Sequence, residues 1–477
     1  MNANSDGGSF GSPAYRWYVL IILTTAYTVS FIDRQVLALL IAPIRRDFHI
    51  SDTQVSLLIG LAFAIFYILL GIPIGWIADR RSRRGTIAAG ISIWCFMAAA
   101  CGITRSYMQL FYARVGVGVG EAALSPSALS LISDYFSKET RGRAISVYTM
   151  GIALGSGLAM IIGGQLVTVA EAVRLVHLPV IGEIFGWQRV FLVIGLPGLL
   201  LAALMGTVRE PPRKEALPGT SAGTAARLPL RQVVVFFGSN WRLYGSHFLG
   251  LSVAATLTYG FLAWIPTMFV RTWGWSIARV GVAYGVVMIL SGVLTVFVVS
   301  WLARRLHARG RSDAYMRSAL YCTLFGVVGA VLTPIAPIPL VALLMLVPMT
   351  VGMLAATSAG LAGLMVVTPN QMRAQASALY YLVVNLIGLT AGPTGIALFT
   401  DHVFHNDALL RYSILSVSII VGVLALLVLT YNLGQYRKAV AASEAWSTQG
   451  ASSLESSTEG AGSQTAAVDS LSETSHL

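Results

Sequence analysis

Charge is what this sequence has least of. Of its 477 residues, 11% are Asp, Glu, Lys or Arg and 56% are hydrophobic. A water-soluble globular chain carries roughly 25% charged residues, so a fully solvated surface is excluded for most of this one. Cysteine is equally scarce. Cys95, Cys101 and Cys322 all fall inside apolar runs, which excludes a disulfide framework and a thiolate metal centre and leaves three small hydrophobes in a reduced setting. The seven histidines are scattered, and His402 and His405 have no acid, base or nucleophile spaced to join them. The chain is therefore not read as an enzyme, and neither a metal nor a cofactor is expected. No phosphate-binding loop of the Walker type occurs, which argues against ATP as an energy source.

What the sequence does have is long apolar runs. A membrane-crossing helix needs roughly 20 mostly apolar residues, and twelve such runs can be drawn. They lie near 17–42, 54–78, 86–104, 107–133, 143–168 and 189–208, then near 243–270, 279–302, 316–334, 339–367, 374–400 and 409–433. The first run exceeds the roughly 7–15 residues of a signal-peptide core, so it is read as a span rather than a cleaved leader. The expected organisation is a short N-terminal segment (1–16), a six-helix bundle (17–208), a basic linker (209–242), a second six-helix bundle (243–434) and a tail (441–477). That tail is rich in Ser, Thr, Glu, Gly and Ala and is expected to be disordered.

The net charge of +12 invites a nucleic-acid reading, but the basic residues sit in short loops between apolar runs. Arg80, Arg81, Arg83 and Arg84, then Lys138, Arg141 and Arg143, then the linker, then Arg304, Arg305, Arg309 and Arg311, then Arg373, all fall in alternate loops. The opposite loops hold Arg45, Arg46, Arg105, Arg174, Arg271 and Arg411 among acidic neighbours. By the positive-inside rule both termini and the linker are cytoplasmic, and no nucleic-acid partner is expected.

The chain repeats itself. Trp76-Ile77-Ala78-Asp79-Arg80, followed by Arg84-Gly85, returns as Trp301-Leu302-Ala303-Arg304-Arg305, followed by Arg309-Gly310, with the same spacing. Tyr148, Gly151 and Gly155 are echoed more weakly by Asn385, Gly388 and Gly392. Six helices per half with both termini on one side imply a parallel repeat, whose axis lies along the membrane normal. In that architecture a solute binds near the midplane, between the halves.

Gly75-Trp76-Ile77-Ala78-Asp79-Arg80-Arg81-Ser82-Arg83-Arg84 resembles the cytoplasmic loop signature of the major facilitator superfamily, with Ser82 where the family usually has Gly. Such a loop can tie helix ends and carboxylates on the cytoplasmic face. The resemblance implies a gate built from Gly75, Asp79, Arg80, Arg83 and Arg84, joined by Asp134 at the end of the fourth helix. Phe31-Ile32-Asp33-Arg34-Gln35, Arg114 through Glu121-Ala122, Ser133-Asp134-Tyr135-Phe136 and Asn385-Leu386-Ile387-Gly388 are similar to the spinster-type branch of that superfamily. This implies an all-α membrane protein with twelve transmembrane helices in two pseudo-symmetric six-helix bundles, and transport coupled to protons.

Four ionisable residues lie at bilayer depth, where each costs roughly 2.5–3.5 kcal/mol on insertion scales and tends to face a cavity. Asp33 and Arg34 are neighbours on the first helix, about 100° apart around its axis. Arg114 and Glu121 stand two turns apart on one face of the fourth helix, about 10 Å along it and too distant to pair directly. Asp33 and Glu121 are the expected proton carriers, with Arg34 and Arg114 as charge partners or receivers of an anionic group; a static buried ion pair is the inert alternative. Gly116, Gly118 and Gly120 lie in an apolar helix with no preceding strand, so they read as close-packing positions and not as a nucleotide loop. Tyr148, Tyr259, Trp264, Tyr380, Tyr381 and Asn385 are the polar and aromatic candidates for a solute cavity, although packing or lipid-facing roles are the commoner fate of aromatics. His247 is read as an interfacial structural residue.

These features predict a secondary transporter of a small amphiphilic or organic-anion solute, a monomer in the bacterial inner membrane. An uncoupled facilitator or multidrug-type exporter is the alternative within transport. A non-transporting sensor is the alternative outside it, though neither linker nor tail is long enough to fold a sensing domain.

Overall fold

In the computed structural model, residues 10–179, 182–212, 230–369 and 372–472 are described. Among the described residues, twelve helices are long and apolar enough to cross a membrane. In the first half they are α1 (Pro13–Leu39), α2 (Asp52–Gly71), α3 (Arg83–Cys101), α4 (Tyr107–Tyr135), α5 (Glu139–Glu171) and α6 (Gly186–Met205). In the second they are α7 (Trp241–Trp273), α8 (Ile277–His307), α9 (Ala314–Ile335), α10 (Pro339–Val367), α11 (Gln375–Phe404) and α12 (Asp407–Ala441). The bounds are chemically marked. Ser12, Ser51, Ser82, Ser106 and Ser276 each accept a bond from a backbone N–H of the first turn that follows, and Pro13 sits where a missing N–H does no harm.

One local feature is absent from the sequence reading. A two-stranded hairpin, β1 (Leu175–Leu178) against β2 (Gly182–Phe185), joins α5 to α6 on the side opposite the termini. The side chains of the tail expected to be disordered (441–477) lie outside the described residues from 442 on. His247, about one and a half turns into α7, is buried in the second bundle with its Nε2 3.1 Å from the Gly360 carbonyl oxygen.

The two bundles share one apolar core on the far side. Leu37, Leu40, Val55 and Met160 of the first half cluster there with Leu257, Phe261, Trp264 and Val280 of the second. Toward the termini the core divides. Leu20, Phe63, Leu131 and Tyr148 form one cluster, and Phe248, Leu251, Tyr380 and Tyr436 another. Tyr259 packs against both. Small residues allow the closest helix crossings: a Cβ on Gly118 would lie 2.5 Å from the Phe63 carbonyl oxygen, and one on Gly120 would lie 2.5 Å from the Trp94 nitrogen. These are the glycines that the sequence assigns to packing. Across the halves, a Cβ on Gly164 of α5 would lie 2.9 Å from the Ile277 carbonyl oxygen and 3.3 Å from the Gly281 Cα of α8.

Candidate functional site

The site begins with two neighbouring residues pointing different ways. On α1, Asp33 and Arg34 diverge around the axis, and α4 runs antiparallel beside them. Arg34 Nη2 donates to Glu121 Oε2 at 2.5 Å. Asp33 Oδ2 lies 3.7 Å from Arg114 Nη1, within ion-pair range but without a hydrogen bond. The four charges thus cancel in two cross-helix pairs, and the seven-residue spacing on α4 gives each residue of α1 its own partner. All four are nearly sealed: exposure is 1% for Asp33, 9% for Arg34, 0% for Arg114 and 2% for Glu121.

The pairs leave much bonding capacity unused. Both oxygens of Asp33, all three nitrogens of the Arg114 guanidinium, Arg34 Nε and Glu121 Oε1 have no hydrogen-bond partner. Buried polar groups are usually satisfied, and each that is not asks for an explanation. Arg34 is held in an aromatic box: its guanidinium carbon lies 4.6, 4.3 and 5.0 Å from the ring centres of Phe31, Phe63 and Tyr67, an attractive geometry for a cation. Glu121 ends the first segment of α4. Ala122 and Ala123 form a turn before the helix resumes at Leu124, and Pro126 lacks the N–H that would bond the Ala122 carbonyl. The break gives the site a place where the backbone can bend.

Across from Arg34, the second half offers Tyr259, whose hydroxyl donates to Asn385 Oδ1 at 2.6 Å, while Asn385 Nδ2 donates to the Tyr381 carbonyl. Tyr259 and Asn385 are half-buried and Tyr381 is exposed. The other aromatic candidates are core residues. Tyr148 stacks on Tyr27 with centroids 4.5 Å apart, Trp264 Nε1 donates to the Pro393 carbonyl, and the Tyr380 hydroxyl donates to the Thr357 carbonyl. Each tyrosine or tryptophan found a local acceptor or ring within its own bundle, the packing role that aromatics take most often.

On the termini side, Arg83 is buried and gathers the loop around it. It pairs with Asp134 and with Ser130, and its Nε donates to Glu210 Oε1 at 2.8 Å. Glu210 also accepts from Ser82 Oγ and from the Arg83 and Arg84 backbone, and Arg84 reaches the Val208 carbonyl. Burial works to raise the Glu210 carboxyl, but these donors, led by Arg83, hold it below the usual glutamate range. Glu210 was not among the sequence candidates; its place just before Pro211-Pro212 was the available signal. Arg80 is exposed at the end of its helix. The surroundings of Gly75 and the side chain of Asp79 lie outside the described residues.

The far side is tied between halves. Arg271 of α7 grips Asp52 of α2 with two bonds, 2.6 and 2.8 Å. Arg45 bridges Asp52 and Asp407, and Asp401 accepts from the Thr53 backbone and hydroxyl at 2.6 Å. The oxygens of Asp52, Asp401 and Asp407 lie within 4.8 Å of one another, the one such acidic group among the described residues. Their bonds already go to Arg45, Arg271 and Thr53, so the cluster reads as an ion-pair network and not as a metal seat.

Comparison with known proteins shows the family and the fold. A family model described as Major Facilitator Superfamily matches residues 23–393. An MFS-type efflux pump of Mycolicibacterium smegmatis is 28% identical over 313 residues, 64% of this chain and 66% of that protein. A D-galactonate transporter of Escherichia coli is 27% identical over 319 residues, 63% of this chain and 70% of that one. For three of the curated relatives, the chain spans 66%, 62% and 47% of their length. The crystal structure of a bacterial homologue of the human lysosomal transporter Spinster, inward-facing and unoccupied, superposes with a TM-score of 0.74 at 26% identity, covering 90% of this chain and 98% of that one. The chain is a multi-pass membrane protein with two six-helix bundles and spinster-like relatives, and it belongs to the major facilitator superfamily of transporters.

Proposed function

We propose that this protein is a proton-coupled secondary transporter of a small amphiphilic or organic-anion solute, working by alternating access in the bacterial inner membrane with both termini in the cytoplasm. The observation that carries the reading is the unsatisfied pair of ion pairs between α1 and α4. A proton arriving on Glu121 removes the charge that holds Arg34. Arg34, already lodged among aromatic rings, is then free to take a carboxylate or phosphate group of the solute. When the solute leaves, Arg34 returns to Glu121 and the proton departs. Asp33 and Arg114 are the second such pair, looser and therefore easier to part. The galactonate relative supports an organic anion, and the efflux relative supports an exporter as the alternative.

The far-side ties and the divided core on the termini side support a conformation open toward the cytoplasm. Alternating access then consists of parting Arg271 from Asp52 and Arg45 from Asp407 while the other face closes. Proteoliposomes with an imposed pH gradient test the reading. Glu121→Gln is expected to abolish gradient-driven movement of a galactonate-type anion while leaving the protein folded. Undiminished gradient-driven transport would take Glu121 out of the mechanism.

A further inference from the structure

A groove of about 520 Å³ lies outside this site, on the outer surface of the second bundle between α7 and α12. The two helices touch where Gly250 admits Leu429; a Cβ on Gly250 would lie 2.7 Å from that side chain. Nearer the termini, buried Asn432 donates to the Leu243 carbonyl at 2.9 Å and meets Ser246 at 2.8 Å, closing the back of the groove. Its floor is Gly245, exposed, with nothing closer to a Cβ there than the Trp241 ring at 4.0 Å. Its walls are Leu249 and Leu427, and its mouth is Trp241, Arg242 and Tyr431, most of them half or more exposed.

Position and chemistry both point to one occupant. Trp241 opens α7 and Tyr431 lies near the membrane end of α12, so both sit at the level where aromatic residues meet the headgroup layer. Arg242 lies over the Trp241 ring, its guanidinium carbon 5.8 Å from the centroid, and no carboxylate among the described residues pairs with it. The apolar walls continue from there toward the bilayer interior. We infer that this groove is a binding site for an anionic phospholipid, with its headgroup at Arg242 and one acyl chain laid over Gly245 between Leu249 and Leu427.

Native mass spectrometry of the full chain, with phosphatidylglycerol or phosphatidylcholine added in equal amounts, tests this. The wild type is expected to retain a phosphatidylglycerol in preference. Gly245→Trp fills the floor and is expected to remove that retained lipid. Arg242→Gln leaves the groove open and is expected to weaken phosphatidylglycerol about fivefold, the effect of one basic residue at an anionic surface, without altering phosphatidylcholine. It changes only an exposed side chain, so it carries the test should the bulkier variant fold poorly. Equal retention of the two lipids by the wild type, or unchanged retention by Arg242→Gln, would overturn the assignment.

Discussion

Asp33 and Arg114 face each other across 3.7 Å without a hydrogen bond, both sealed from solvent. Removing one member of a buried pair leaves an uncompensated charge, a loss of about 3–5 kcal/mol. Arg114→Met is therefore expected to lower thermal stability strongly, and Asp33→Asn combined with Arg114→Met to recover most of it. Melting curves in detergent decide this; equal destabilisation in the single and double variants would mean the two do not act as a pair.

The tighter pair makes a different prediction. If Glu121 carries the proton, Glu121→Gln should abolish gradient-driven transport while leaving gradient-free exchange of solute measurable. Counterflow assays at equal pH on both sides separate exchange from coupling. Loss of exchange and driven transport together, in a folded Glu121→Gln protein, would assign Glu121 to solute binding alone.

Asp52 accepts two bonds from Arg271 and faces Arg45 at 3.0 Å. Asp52→Asn weakens the Arg271 tie between the halves and loosens the Arg45 side chain that reaches Asp407, so the population should move toward states open on the far side. A cysteine placed at Thr394, beside Ser56 on that face, is expected to react several-fold faster with a membrane-impermeant reagent in the Asp52→Asn background. Unchanged labelling would mean that the shared apolar core, and not the charges, holds that face shut.

Glu210 offers a pH test with a defined sign. Its carboxyl is held below the ordinary glutamate value of 4.5, so the folded state favours the charged form. The stabilisation is complete above that ordinary value and is lost as pH falls toward the lowered one. The melting-temperature gap between wild type and Glu210→Gln should accordingly be widest near neutrality and shrink below about pH 4.5, the reference point for glutamate. A gap that widens on acidification would refute the assigned direction.

The twelve spans were legible because bilayer burial writes itself into runs of about 20 apolar residues. The four charges were legible for the opposite reason, since each interrupts such a run. Their partners were not. Whether Arg34 meets Glu121 or Asp33 meets Arg114 depends on how α1 and α4 are rotated and slid against each other, which neither periodicity encodes. The same holds on the far side, where Arg45 and Arg271 were visible among acidic neighbours but their bonds cross between bundles hundreds of residues apart. Tyr148, Trp264 and Tyr380 show the limit for aromatics: a ring near the right depth packs into its own bundle as readily as it faces a solute. The strands Leu175–Leu178 and Gly182–Phe185 were too short to show a period of two.

Gly60 interrupts α2 between Ile59 and Leu61 and presses against the Leu389 carbonyl of α11, with no room there for even a methyl group. The spot works like a doorjamb whose clearance is set by one absent carbon. Alanine at that position would not remove any bond between the bundles, yet it would prop them apart. Under the proposed alternating access, the balance between the two faces would be set by shape as well as by charge.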